Sequence, residues 1–169
     1  MNKYVRCIDT TNDQRKLLQL EHIYKVIDET EVDYVIDING KHIIVLSDRV
    51  DHCETLKQMC NIQDSIILTG TTKKKDRESI MQDMNDKKYR VLFATKLARE
   101  GLDITHLDTL ILATPKRAKG ATTQEVGRIM RSCEGKTEAK VIDFVDDKLG
   151  IFKGQFYKRR EAYKEMKMI

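Results

Sequence analysis

The sequence predicts an α/β fold, a doubly wound and mostly parallel sheet with helices on both faces. Five short runs, residues 42–46, 65–68, 90–94, 109–113 and 140–145, are close to continuously apolar and rich in Val, Ile and Leu. Strands of a parallel sheet, covered on both faces, read this way. Between the runs lie segments whose apolar residues recur at helical spacing, and such alternation builds a parallel sheet. The length agrees: 169 residues, 40% hydrophobic and 34% charged, suffice for one ordinary domain with its own core.

Taken in order, residues 4–8 form a short strand. Residues 13–28 repeat apolar side chains at Leu17, Leu20, Tyr24 and Ile27, an amphipathic helix that Thr11 or Asn12 caps, and residues 32–37 cross over toward the sheet. A helix at 51–60 turns Cys53, Leu56 and Met59 to one side, with Cys60 also at helical spacing. Residues 74–85, after the capping pair Thr71-Thr72, bury Ile80, Met81 and Met84. Residues 122–132 turn Val126, Ile129 and Met130 inward. The last element, 151–168, docks Ile151, Phe152, Phe156, Tyr163 and Met166 and points its lysines outward. With no internal repeat and Pro115 as the only proline, the chain is expected to be a single domain over 1–169. It has a lead-in at 1–39, a core at 40–147 and a basic C-terminal helix at 148–169.

The net charge of +4 is unevenly placed. Residues 148–169 carry +5 and the other 147 residues carry −1. Such a segment is either a solvated helix face or a polyanion contact. No apolar stretch reaches membrane-spanning length, and the N-terminus lacks the apolar core of a secretory signal, so no membrane partner and an intracellular location are expected. Cys7, Cys53, Cys60 and Cys133 form no C-x-x-C pair, and His22, His42, His52 and His106 supply no matching ligand spacing. No metal site is expected, and the thiols are expected to be reduced.

In open α/β sheets ligands bind beyond the carboxyl ends of the strands. Ser47-Asp48-Arg49 follow the first run, Thr69-Gly70 the second, and Thr95-Lys96 with Arg99-Glu100-Gly101-Leu102-Asp103 the third. After the fourth come Thr114-Pro115-Lys116-Arg117 and a helix carrying Gln124, Gly127, Arg128 and Arg131. Hydroxyls, glycines and cations converging on one edge suit a phosphate-rich ligand. Arg128 and Arg131, three apart, would project from one helix face and match the spread charge of a transferring phosphoryl group. Taken singly, each feature also has a plainer explanation as a turn, a cap or a salt bridge to Glu125 or Glu134.

Together these residues resemble the second, C-terminal RecA-like domain of a superfamily 2 helicase. Residues 43–49, Thr69-Gly70, 91–104 and 124–131 are similar to its motifs IV, IVa, V and VI. The resemblance covers about residues 40–147. Met130 and Thr105 depart from a frequent glycine and proline. The spacing looks most like the DNA-directed branch, so DNA is expected over RNA. The resemblance implies that Arg128 and Arg131 reach the γ-phosphate of ATP, Arg131 as the finger, and that Gln124 positions the nucleotide. It places Gly101 and Asp103 beside the nucleotide. It implies that Ser47, Thr69, Gly70, Thr95 and Lys96 meet nucleic-acid backbone, with Arg77 supporting the motif IVa helix.

One part is missing. The chain has no G-x-x-x-x-G-K-[ST]. Gly135-Lys136-Thr137 imitates its end, but Met130 stands where the first glycine belongs, and the segment reads as a surface turn. Asp143, with Asp146-Asp147, imitates a metal-holding acid and reads instead as capping or turn formation. Asp37-Ile38-Asn39-Gly40 reads as a turn. The chain is thus expected to be half of a motor. ATP and Mg2+ would be used only with an N-terminal RecA-like domain that carries the P-loop. Two alternatives remain: a nucleic-acid-binding module without ATPase, and a small enzyme clamping a phosphorylated metabolite.

Overall fold

Six strands lie side by side in one sheet, and every pairing within it is parallel. This computed structural model describes residues 2–9, 22–26, 32–35, 40–60, 62–95, 103–114, 119–129, 131–145 and 150–168. In chain order the elements are β1 (Asn2–Asp9), β2 (His22–Val26), β3 (Val32–Val35), β4 (Ile43–Ser47), α1 (Val50–Cys60), β5 (Ser65–Leu68) and α2 (Lys74–Asn85). Then follow β6 (Val91–Thr95), β7 (Thr109–Leu112), α3 (Lys119–Ile129), β8 (Glu138–Val145) and α4 (Gly150–Glu165). The strand order is β1-β8-β7-β4-β6-β5.

The apolar runs alternate across the sheet as a period of two requires. Ile43, Val45, Val91, Phe93, Ile111 and Ile142 face one side, where Cys53, Leu56 and Cys60 of α1 cover them. Ile44, Leu46, Leu92, Leu110 and Val141 face the other, under Met84 of α2, Val126 of α3 and Tyr163 of α4. Right-handed crossovers explain the split. The chain crosses from β4 past β6 to the edge strand β5, then returns, so α1 lies on the face opposite α2 and α3. All five expected runs are strands, and their central residues are buried except in the edge strand β5, where Ile66 and Ile67 are half-buried.

Several elements differ from expectation. Residues 22–26 are a strand, paired antiparallel with β3, where a helix to residue 28 was expected. The run His-Ile-Tyr-Lys-Val is rich in β-branched and aromatic residues, which lose side-chain freedom in a helix and favour strands. Residues 13–21, 27 and 28 lie outside the described residues. β3 therefore does not cross to the main sheet. β1 is longer than residues 4–8 and closes the sheet edge beside β8, in register from Asn2↔Glu138 to Asp9↔Val145. On α1 the inward position falls to Cys60, while Met59 is 45% exposed. The i+3/i+7 stripe from Cys53 runs through Leu56 and Cys60 and leaves Met59 beside it. Burial pushes the Cys53 thiol to about 11 and the Cys60 thiol to about 12, so both act as apolar fillers.

The basic C-terminal segment is not uniformly outward. Arg159 is 1% exposed, and its guanidinium donates to both oxygens of Asp143 at 2.7 and 2.9 Å. Tyr163 donates its hydroxyl to the same carboxylate at 2.8 Å. Asp143, fully buried on β8, is therefore neither a cap nor a turn residue: it anchors α4 to the sheet. A buried carboxylate requires such partners. Ile151, expected inward, is instead 58% exposed, whereas Phe152 beside it in the first turn of α4 is half-buried. No helix among the described residues is long and apolar enough to cross a membrane.

At the amino ends of the strands, the Asp108 carboxylate accepts the His42 amide at 3.1 Å and the Thr109 hydroxyl at 2.7 Å. The His42 and His106 rings meet edge to face, 4.5 Å between centroids. Burial, with the neighbouring His42, Lys87 and Lys136 charges, pushes His106 down to about 4. The unfolded chain, with an ordinary histidine near 6.5, then takes up this proton first. Stability should fall as pH drops from about 6.5 to about 4, by roughly 3 kcal/mol in all. Urea unfolding across that range measures it, and His106→Leu should flatten that part of the profile.

Candidate functional site

Three adjacent strands, β4, β6 and β5, end in hydroxyl residues, and the parallel register brings them together. Ser47 and Thr95 are paired across β4 and β6, and Thr69 follows the end of β5. The hydroxyls are buried and hold the loops in place. The Ser47 hydroxyl accepts the Arg49 amide at 3.2 Å and lies 2.9 Å from Nδ1 of His52. Thr95 Oγ1 accepts the Gly70 amide at 3.1 Å. Thr69 donates its amide to Thr72 Oγ1 at 3.0 Å and lies 2.8 Å, oxygen to oxygen, from the Thr71 hydroxyl. The Asp48 amide reaches Thr114 Oγ1 at 3.1 Å, tying the loop after β4 to the one after β7. Gly70 is exposed. The structure thus assembles Ser47, Thr69, Gly70 and Thr95 at one edge; Lys96 lies outside the described residues.

Arg77 fastens this edge to α2. Its Nε donates to the Thr72 carbonyl at 3.0 Å, and its Nη2 donates to the Thr69 and Gly70 carbonyls at 3.2 and 3.1 Å. Thr71 and Thr72 do not cap α2. Lys73 is the N-cap, without a side-chain cap bond, since its ammonium has no acceptor; the Thr72 hydroxyl is committed to the Thr69 amide. The guanidinium fork does the loop-holding that three carbonyls pointing one way require.

The second group of predicted residues lies elsewhere. Asp103 stands in the connection that leads to the amino end of β7, and Arg131 in the one that leads to the amino end of β8. An ion pair joins them, so residues 28 apart in sequence are brought into contact. They do not share the carboxyl edge with the hydroxyls, because α3 runs back along the sheet before Arg131 is reached. Helix α3 ends at Ile129, short of the expected Ser132, and the Arg131 amide meets the Arg128 carbonyl at 3.4 Å. Arg131 is therefore not on a common helix face with Arg128. The residue that shares a face with Arg128 is Gln124, one turn earlier; Gln124 is exposed and Arg128 half-buried, while Thr122, Glu125 and Val126 point inward. Gly101 lies outside the described residues.

Lys136, within the expected surface turn, completes this second group. The turn is real: Gly135 has φ of +79°, a conformation that favours glycine. Its lysine, however, is half-buried and donates to the Arg131 carbonyl at 2.9 Å and the Thr105 carbonyl at 3.4 Å. Burial lowers its pKa. No local signal marks this role, because one partner, Thr105, lies 31 residues away.

Comparison with known families decides what this arrangement belongs to. The helicase conserved C-terminal domain matches residues 17–133. The chain belongs to the helicase C-terminal domain family. This helicase domain is 37% identical over 83 residues to a protein of Schizosaccharomyces pombe named as a mitochondrial ATP-dependent helicase, a match covering 49% of this chain and 14% of that protein. It is 30% identical over 134 residues to a protein of Acanthamoeba polyphaga mimivirus named as an ATP-dependent RNA helicase, covering 76% and 24%. The helicase domain thus spans about a quarter or less of the length of these curated relatives. Among solved structures, the C-terminal domain of the DEAD-box protein Dbp5 superposes with a TM-score of 0.59 at 20% identity, covering 76% of this chain and 72% of that one. Saccharomyces cerevisiae Dbp5 bound to RNA and ADP BeF3 gives 0.58 at 18%, covering 78% and 34%. These likenesses establish the RecA-like helicase fold of the sheet.

Proposed function

We propose that this helicase domain is the arginine-bearing half of an ATP-dependent superfamily 2 translocase, one compact domain over residues 1–169, acting on nucleic acid together with a P-loop domain. The observation that carries the reading is the Asp103–Arg131 ion pair. It unites the ends of motifs V and VI, the two segments whose family pattern surrounds the nucleotide. Both side chains are at least half exposed, and such pairs contribute at most about 1 kcal/mol. Arg131 can therefore leave Asp103 for a phosphate at little cost.

The residues fit a nucleotide brought by a partner. Gly127 is exposed in the middle of α3, and a Cβ there would meet nothing within 4 Å. A mid-helix glycine costs about 1 kcal/mol relative to alanine, and no neighbour among the described residues requires it. Close approach of a second domain with its ligand supplies the requirement. Gln124 and Arg128 flank that open surface. When bound, ATP with Mg2+ on the P-loop half supplies the phosphoryl transfer. The part played by this chain is to place Arg131 and Arg128 against the developing charge, with Gln124, Gly101 and Asp103 beside the nucleotide.

Along the carboxyl edge, Ser47, Thr69 and Thr95 shape the loops and the exposed Gly70 meets a nucleic-acid backbone, a contact to which motif position also assigns Lys96. The polymer is proposed as nucleic acid without preference: the names of relatives include RNA helicases, and the DNA expectation rests on motif spacing alone. An intracellular site of action accompanies this reading. The metabolite clamp is not favoured, since the match over residues 17–133 is to the helicase conserved C-terminal domain. The test is turnover. The isolated chain should hydrolyse ATP no faster than background and gain activity only when joined to its P-loop half; hydrolysis by the isolated chain overturns the proposal.

A further inference from the structure

Helix α4 carries a row that the helicase motifs do not use. Lys153, Tyr157, Arg160 and Lys164 fall at i, i+4, i+7 and i+11, which places them along one line of a helix. All four are exposed, and Tyr157 keeps 50% of its surface in solvent. At 1.5 Å per residue the row is about 16 Å long. The exposed Glu161 and Glu165 fall on the flank, about a quarter turn away, and Lys158 lies beyond them. The opposite face is locked down by Arg159, Ala162 and Tyr163, with the buried Arg159–Asp143 pair holding α4 in orientation. The row is therefore presented on a rigid support.

We infer that this row is a second contact for single-stranded nucleic acid, in which Lys153, Arg160 and Lys164 meet phosphates and the Tyr157 ring stacks on a base. An aromatic ring set between cations one turn away on either side is the combination that binds single strands without sequence preference. A membrane surface would need an apolar face turned outward, whereas the apolar face of α4 is turned in. An acidic protein would meet the cations but leave the ring without a use. The inference rests on the nucleic-acid reading above and adds to it a site outside the strand ends.

Fluorescence anisotropy of the full 169-residue chain with short oligo-dT and oligo-U, titrated against salt, tests it and tells the two polymers apart. Replacing Lys153, Arg160 and Lys164 together by Gln should lower the slope of log K against log salt by about 2, since each single-strand phosphate contact contributes about 0.7. Tyr157→Ala should weaken binding about tenfold, and Tyr157→Phe should retain it. Unchanged circular dichroism and melting temperature confirm that these exposed positions leave the fold intact. Binding by the variants with unaltered affinity and slope overturns the row but leaves the strand-edge reading standing. Failure of the unaltered chain to bind either oligonucleotide, with or without binding to an acidic peptide or anionic vesicles, overturns both.

Discussion

Replacing Arg131 by alanine in the complete polypeptide, P-loop half included, is expected to lower ATP turnover by about 10³–10⁵-fold, the contribution of an arginine finger to phosphoryl transfer. Nucleic-acid affinity should stay nearly unchanged, because the strand-end hydroxyls and Gly70 lie at the carboxyl edge while Arg131 lies in the connection to the amino end of β8. Stability should also hold, since the Asp103–Arg131 pair is solvent-exposed and exposed pairs contribute little. Arg131→Lys should not restore turnover, because an ammonium lacks the planar fork that meets two phosphate oxygens at once. Steady-state ATPase with and without a nucleic-acid strand measures these effects. Near-normal turnover in the alanine variant would place the finger elsewhere.

Removing one partner of the Asp143–Arg159 pair is the change with the largest expected effect on stability. Both side chains are about 1% exposed, so Asp143→Ala removes the carboxylate that the buried guanidinium and the Tyr163 hydroxyl meet. Removing one partner of a buried ion pair typically costs about 3–5 kcal/mol. Chemical denaturation should show that loss for Asp143→Ala and Arg159→Ala alike. Joint replacement by Leu and Met should recover most of it, because no charge is then left buried. Tyr163→Phe removes one hydrogen bond to a charged group and should cost about 1.5–3 kcal/mol. Equal small losses for all of these would mean that α4 is docked by its apolar residues alone.

The two predictions show where local pattern is informative and where it stops. The strands were legible because burial on both faces leaves an unbroken apolar run, and Ile43 to Leu46 or Val91 to Ala94 can hardly be anything else. The order of Thr69-Gly70, Glu100 to Asp103 and Gln124 to Arg131 was legible too, because each follows or leads to such a run. Residues 22–26 misled, since the apolar spacing of Leu17, Leu20, Tyr24 and Ile27 fits a helix while the residues between them favour a strand. The end of α3 misled for a similar reason: Arg131 continues the helical spacing that the backbone has already left.

Charge was the least legible property. Lys158, Arg159 and Arg160 are consecutive and equivalent in composition, yet one lies in the core and two in water. The middle one is chosen by the turn of α4 and by a carboxylate on β8, sixteen residues earlier. Lys136 is another case, a surface-turn lysine until the connections after Asp103 and α3 converge on it. The order of the chain, through hydrophobic period and motif succession, determined the parallel sheet and the identity of its functional segments. Only the tertiary structure decided which charges pair, with Arg131 given to Asp103 and Arg159 to Asp143. Period is written into neighbouring residues, whereas an ion pair depends on which distant segments packing sets side by side.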